Sequence, residues 1–276
     1  MIIKNGIRNG YPFLESIRSM VDIADEFLIS DGYSEDGTYD LLETASKKFP
    51  NIKLYRDPWS CSGYGEFIAV MTNKLKERAQ CEWVYNLQAD EIIHEGMLSK
   101  LKRLTDGSPS QFGSYAVTFL HFVGDFYHVE TNPGYDTAVR LVPNVEKNYV
   151  ADDGWTFRGE LEPIGLIKSP PLFHFGWVFS KDNIFKRKNQ AENIHREQES
   201  YQQDYEFCKE IEEKFDENPD MFLGWQRKML SYRKIRKYVG DYPQAALRLL
   251  TRGNVSYEPD LEILDLAITP HVVSQN

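Results

Sequence analysis

The chain has 276 residues and a formal net charge of -10, from 42 acidic against 32 basic side chains. With 41% hydrophobic and 27% charged residues, it has the make-up of a globular protein with a sizeable core. The bulk negative field disfavours general coating of polyanions and leaves such contacts to a local basic patch. Its cysteines, Cys61, Cys81 and Cys208, show neither metal-ligand spacing nor an even-numbered disulfide framework, which points to a reduced, cytoplasmic setting. Met1-Ile-Ile-Lys-Asn-Gly carries no basic segment followed by a long apolar one. The most apolar stretch, Tyr115 to Val123, is too short to span a bilayer, so no integral membrane segment is expected.

Over the first hundred residues, short apolar runs alternate with helical patterns, the mark of βαβ units on a parallel sheet. Ile2-Ile3 is a clipped first strand. Pro12 to about Ala24 is a helix with Phe13, Ile17, Met20 and Val21 on one face. Glu26 to Ser30 is a second strand, ending at the loop Asp31-Gly-Tyr-Ser-Glu-Asp-Gly37, and a helix begins at Thr38. Ile52 to Tyr55, a helix from about Gly65 to Ala79, and a strand from Trp83 to Leu87 follow. From Ser114 the segments become longer and aromatic-rich: Ser114–Val123, Thr137–Val142 and Leu172–Phe179. After Lys181 the pattern is charged and helical through about Leu250. The expectation is an α/β domain over residues 1–180 with a helical C-terminal extension over 181–276 packed on it.

Ligands of open α/β sheets bind at the carboxyl ends of the strands. Two loops there carry carboxylates. Asp31 ends the second strand, ahead of Ser34-Glu-Asp-Gly-Thr38, although the same residues also suit a turn and a helix cap. Asn86-Leu-Gln-Ala-Asp-Glu91 follows the fourth strand, and adjacent acids at a strand end suit a hard divalent cation.

At these residues the chain resembles the family 2 glycosyltransferases. Ser30-Asp-Gly-Tyr-Ser-Glu-Asp-Gly-Thr38 looks like their D-G-x-S-x-D-G-T signature, and Gln88-Ala-Asp-Glu91 looks like their D-x-D region with glutamine in the first position. Lys4 to Arg18, Asp153-Gly-Trp-Thr-Phe-Arg158 and Phe173-His-Phe-Gly-Trp-Val178 are similar, in order, to elements of a bacterial and phage branch. The resemblance implies a GT-A fold, a mixed, mainly parallel Rossmann-like sheet flanked by helices. It also implies a nucleotide-diphosphate sugar as donor, with UDP as the nucleotide, and inverting transfer of a hexose to an acceptor hydroxyl. Asp31 and Asn5 would line the nucleotide pocket, and Asp90 would hold a divalent cation, Mn²⁺ or Mg²⁺. The acceptor would be a saccharide, a lipid-linked glycan or a modified DNA base.

The donor's diphosphate is an anion that gains charge as the sugar departs, so a protein of net charge -10 must neutralise it locally. Gln88 still offers an amide to ribose hydroxyls, and Arg140 is a phosphate or acceptor contact or else a structural ion pair. Asp90 with His174 would give two metal ligands. A histidine between Phe173 and Phe175 equally suits a packed core. A general base must take the acceptor proton. Asp152, Asp153, Glu160 and Glu162 are candidates, and the resemblance favours Asp153. Tyr135, Trp155 and Trp177 offer faces for sugar rings or pack the core. Asn73 sits on the helix that the resemblance places below the donor site. Gln226 to Tyr238 reads as a basic helix, either docked or facing an anionic acceptor. Two other functions fit less of this pattern: a sugar nucleotidyltransferase, and a non-catalytic nucleotide-sugar-binding module.

Overall fold

The computed structural model describes residues 1–59, 64–106, 113–131, 133–152, 154–178, 235–251 and 257–269. The chain is mixed α/β. β1 (Ile2–Ile3), β2 (Phe27–Asp31) and β3 (Ile52–Arg56) form a three-stranded sheet in that order, parallel throughout. α1 (Gly6–Asn9) and α2 (Phe13–Met20) connect β1 to β2, and α3 (Thr38–Lys48) connects β2 to β3. Two βαβ crossovers result, as the alternation of apolar runs and helical periods dictates. The register sets Ile3 beside Asp31 and Asp31 beside Arg56, so the loop-bearing ends of the strands lie side by side.

α4 (Tyr64–Lys76) leads to β4 (Trp83–Tyr85), β5 (Glu91–Ile92) and α5 (Glu95–Thr105). β4 pairs antiparallel with β8 (Thr137–Pro143), placing Val84 opposite Val142, instead of extending the βαβ series. Three residues of strand offer little edge of their own, and the seven-residue apolar β8 determines where they pair.

The second sheet has seven strands and is mixed. Its spine is β6 (Ser114–Val123) lying parallel to β11 (Ile164–Trp177), with β5 antiparallel on the far edge of β11. The β6–β11 register shifts between Ile167 and Leu172, where Pro170 and Pro171 have no N–H for the ladder. β7 (His128–Glu130) and β8 pair with β6, and β9 (Tyr149–Ala151) forms a separate antiparallel pair with β10 (Thr156–Arg158).

Ile235–Lys237, expected at the end of a basic helix, form a strand instead, β12, antiparallel to β7. The reason is tertiary. Tyr238, just after the strand, packs edge-on against Phe122 and Phe173, each at 5.6 Å, and its N–H donates to the Tyr127 carbonyl at 2.8 Å, which anchors the segment beside β7. Residues 226–234, the rest of that basic segment, lie outside the described residues.

The core joins both sheets around Phe122, Phe173 and Phe175. α2 is buried on more than its apolar face, because the 3-10 turns Gln244–Ala246 and Leu261–Asp265 cover its other side. Its polar residues find partners there. The Tyr257 hydroxyl donates to Glu15 at 2.9 Å, and Arg18 Nε donates to the Leu266 carbonyl at 2.5 Å. Among the described residues, no helix is long and apolar enough to cross a membrane.

Candidate functional site

The first candidate loop is built almost entirely from the residues of the Ser30–Thr38 signature. Asp31 has no exposed surface, and its carboxylate accepts from its own loop at the Ser34 N–H, 3.0 Å away. Ser34 Oγ in turn accepts from the Asn5 N–H at 2.8 Å, and Asn5 Oδ1 accepts from the Glu35 N–H at 2.9 Å. Asp36 accepts from the Arg8 N–H at 2.7 Å and from the Thr38 N–H at 3.1 Å. The β1 and β2 loops are thus stitched into one surface. Asn5 holds a left-handed backbone, φ 51°, to make these contacts. Gly32 permits another close approach: a Cβ there would lie 2.5 Å from the indole nitrogen of Trp59.

Arg56 adds a cation that sequence patterning does not reveal. Its Nε lies 3.2 Å from Asp31 Oδ2, and its guanidinium stands 4.7 Å from the Tyr33 ring and 4.1 Å from the Tyr39 ring. Tyr33, at φ 57°, is 49% exposed. A buried carboxylate beside a planar cation and an open aromatic face suits a flat ligand with N–H donors. The signal in the sequence is positional: Arg56 ends the next parallel strand, and in-register pairing sets it beside Asp31.

The second candidate loop, residues 86–91, is held from three sides. Ser16 Oγ donates to the Gln88 carbonyl at 2.9 Å, and Ser19 Oγ accepts from the Ile93 N–H at 3.1 Å, so α2 pins the loop from below. Asn86 Nδ2 and Gln88 Nε2 both donate to the Gly154 carbonyl, at 2.7 and 3.2 Å. Arg140 is fully buried and pairs with the equally buried Glu91, while also meeting the Asn86 carbonyl at 3.3 Å and Gln88 Oε1 at 3.5 Å. Of the two roles open to Arg140, the structure places it as the internal partner that fixes this loop. Burial pushes the Glu91 carboxyl up to about 7 against the opposing pull of Arg140.

Asp90 and His174 come together through the β5–β11 pairing. His174 stands opposite Glu91, and the Phe175 N–H donates to the Asp90 carbonyl at 2.8 Å. Asp90 Oδ2 is then 3.7 Å from His174 Nε2. Gly176 packs closely against them, since a Cβ there would lie 2.5 Å from that nitrogen and 2.8 Å from that oxygen. One carboxylate oxygen and one imidazole nitrogen at this spacing fit two positions of a divalent cation's shell. No group of three or more His, Cys, Asp or Glu arranged to hold a metal occurs among the described residues.

The other candidates are placed as follows. Asp153 lies outside the described residues. Its neighbour Asp152 is exposed and paired with Arg158 at 3.0 Å. Glu160 pairs with Lys147 at 2.5 Å on the surface, and Glu162 accepts from the Ile164 N–H at 3.2 Å. Asn73 exchanges two hydrogen bonds with Val150, at 2.7 and 2.8 Å, so it docks α4 on β9. Tyr135 and Trp155 stack on each other with ring centroids 4.6 Å apart, and Trp177 is 39% exposed. A cavity of about 370 Å³, lined by Met1, Phe27, Leu28, Leu75, Trp83 and Tyr85 among others, sits at the opposite end of β2 from Asp31. Neither Asp31, Asp90 nor His174 lines it.

No family model matches the chain. Two curated relatives are glycosyltransferases. They are the SPbeta prophage-derived glycosyltransferase SunS of Bacillus subtilis (strain 168) and glycosyltransferase SunS of Bacillus phage SPbeta, each 27% identical over 93 residues. The match takes in 33% of this chain and 20% of each relative, about a fifth of their length. Among solved structures, residues 1–349 of TarS from S. aureus give a TM-score of 0.42 at 11% identity, covering 72% of this chain and 66% of that one. The same portion of TarS in complex with UDP gives a TM-score of 0.42 at 14% identity, over 72% and 67% of the two chains.

Proposed function

We propose that the chain is an inverting glycosyltransferase of the GT-A type, moving a hexose from a UDP-sugar to an acceptor hydroxyl with the help of Mn²⁺ or Mg²⁺. The observation that carries this reading is the meeting of Asp90 and His174, 84 residues apart in the chain, at 3.7 Å. The ordered motif resemblance and the glycosyltransferase names of the curated relatives support the same class.

On this reading Asp90 and His174 hold the cation, and the donor's phosphate oxygens with water complete its shell. The mixed oxygen and nitrogen pair favours Mn²⁺ over Mg²⁺, which prefers oxygen throughout. When bound, the cation neutralises the charge that grows on the departing diphosphate. Asp31, Asn5 and Arg56 bind the nucleoside end, with Asp31 accepting from a base N–H and Tyr33 offering its ring. Gln88, its amide held by the Gly154 carbonyl and Arg140, fixes the loop that carries Asp90. Arg140 serves through Gln88 and Glu91, which it holds in place. Asp153 takes the acceptor's proton as the hydroxyl oxygen attacks the anomeric carbon and the bond to the diphosphate breaks.

A thermal-shift screen of nucleotide sugars with and without Mn²⁺ tests the proposal, since a bound donor stabilises the fold by mass action. A UDP-sugar that raises Tm, and raises it further with Mn²⁺, supports it. A flat response to every nucleotide sugar overturns it.

A further inference from the structure

The cation pair has a neighbour that nothing above assigns. His121 stands directly beside His174 in the parallel β6–β11 register. Their Nδ1 atoms are 2.9 Å apart, and the other His121 nitrogen, Nε2, is 2.9 Å from the Tyr135 carbonyl. Both histidines are buried, at 3% and 7% exposure, so the hydrogen bonds are not shared out to bulk water.

The chemistry of these partners orders the protons. A carbonyl oxygen only accepts, so His121 Nε2 carries a hydrogen. In a neutral His121 the remaining nitrogen, Nδ1, is then an acceptor. The facing His174 Nδ1 must therefore donate, which makes His174 Nε2 the nitrogen with the lone pair. That is the nitrogen turned toward Asp90 Oδ2. The His121 ring is itself held in plane by Phe119, stacked at 5.4 Å and 10°, and by Tyr135, edge-on at 4.6 Å.

We infer that His121 is a positioning residue which, relayed from the Tyr135 carbonyl, holds His174 in its Nδ1–H tautomer and so presents Nε2 to a divalent cation shared with Asp90. A ligating imidazole whose second nitrogen donates to a fixed acceptor is both oriented and more basic at the metal. Here the fixed acceptor is a second histidine, supplied by the next strand. The competing arrangement is a charged His121 that donates from both nitrogens. It would put the hydrogen of His174 on Nε2 and leave a neutral N–H donor facing Asp90, with no lone pair for a metal.

The inference rests on the cation reading of Asp90 and His174, and the experiment separates the two. Manganese affinity is measured by titrating MnCl₂ into the full chain with UDP present, for wild type, His121→Phe and His121→Gln. The phenylalanine removes the acceptor and should weaken Mn²⁺ about 10- to 100-fold, whereas glutamine, whose amide oxygen accepts from His174, should stay within about threefold of wild type. Long-range ¹H–¹⁵N correlation spectra of metal-free wild type should show His174 as the Nδ1–H tautomer and His121 as Nε2–H. An unchanged Mn²⁺ affinity in folded H121F overturns the inference, as does His174 appearing as Nε2–H or as imidazolium. If H121F fails to fold, the wild-type spectra decide alone. If wild type binds UDP but not Mn²⁺, this inference and the cation fall together while the nucleotide reading stands.

Discussion

Asp31 and Arg56 face each other across two parallel strands, with Oδ2 of the buried carboxylate 3.2 Å from Nε of the half-buried guanidinium. The same carboxylate shapes its own loop through the Ser34 N–H. On the proposed reading two functions share one side chain, and a conservative change separates them. Asp31→Asn keeps an acceptor for the loop but loses the charge that Arg56 and a ligand N–H would meet. Charge-assisted hydrogen bonds are worth about 1.5–3 kcal/mol, so UDP affinity should fall about 10- to 100-fold. Calorimetric titration of the folded variant checks it, and wild-type affinity for UDP would remove Asp31 from the binding set.

At the end of β3 a second carboxylate, Asp57, accepts from both Arg78 nitrogens at 2.7 Å and from the Ser30 hydroxyl at 2.7 Å. Arg78 holds its pKa down at about 2, from 3.8. A lowered carboxyl pKa stabilises the fold above the unfolded value and loses that contribution as pH falls toward the folded one. The shift corresponds to about 2 kcal/mol, present near neutrality and lost between about pH 4 and pH 2. Arg78→Met should lose part of that in urea unfolding at pH 6, since Ser30 and Lys74 still favour the charged Asp57, and the gap from wild type should narrow toward pH 2. A gap that does not narrow with acid would mean Arg78 acts through packing alone.

The buried pair of Arg140 and Glu91 yields a different signature. Both side chains are fully buried, so removing Arg140 leaves Glu91 either charged without a partner or protonated against its hydrogen bonds. Arg140→Met should destabilise the chain by about 3–5 kcal/mol, whereas the double change Arg140→Met with Glu91→Leu should recover much of the loss. Denaturant midpoints of the two variants decide. A double variant no better than the single one would show that Arg140 is needed for its contacts with Asn86 and Gln88 instead.

What the sequence makes legible depends on the range of the signal. The first three strands, their helices and the two carboxylate loops follow from local periodicity and strand-end logic, because βαβ units are set by neighbours in sequence. Asp90 was visible as an acidic strand end, but its distance from His174 was not, since it depends on which strands pair. His121 is harder still. A lone histidine in Phe119-Leu-His-Phe122 looks like core, and it acquires meaning only when β6 lies in register with β11. Arg56 likewise acquires its place only from the register that sets it beside Asp31. The strand at Ile235–Lys237 carries a helical pattern in sequence, because a stripe of apolar residues at helical spacing says nothing about the aromatic cluster that captures Tyr238.

Gly176 provides the sharpest test of the candidate site, because it touches the ligand pair without belonging to it. A methyl group at that position would sit 2.5 Å from His174 Nε2 and 2.8 Å from Asp90 Oδ2, inside normal contact distance of both. To relieve the overlap the imidazole or the carboxylate must turn away, and the two ligands then no longer converge. Gly176→Ala should therefore lose Mn²⁺ binding about 100-fold or more in the presence of UDP, comparable to Asp90→Asn, because ligand geometry and not ligand identity has been changed. UDP binding without metal should persist in both variants, since Asp31 and Asn5 lie on other loops. Circular dichroism and thermal melts separate this outcome from unfolding. Should Gly176→Ala keep wild-type Mn²⁺ affinity in a folded chain, the cation does not sit between Asp90 and His174.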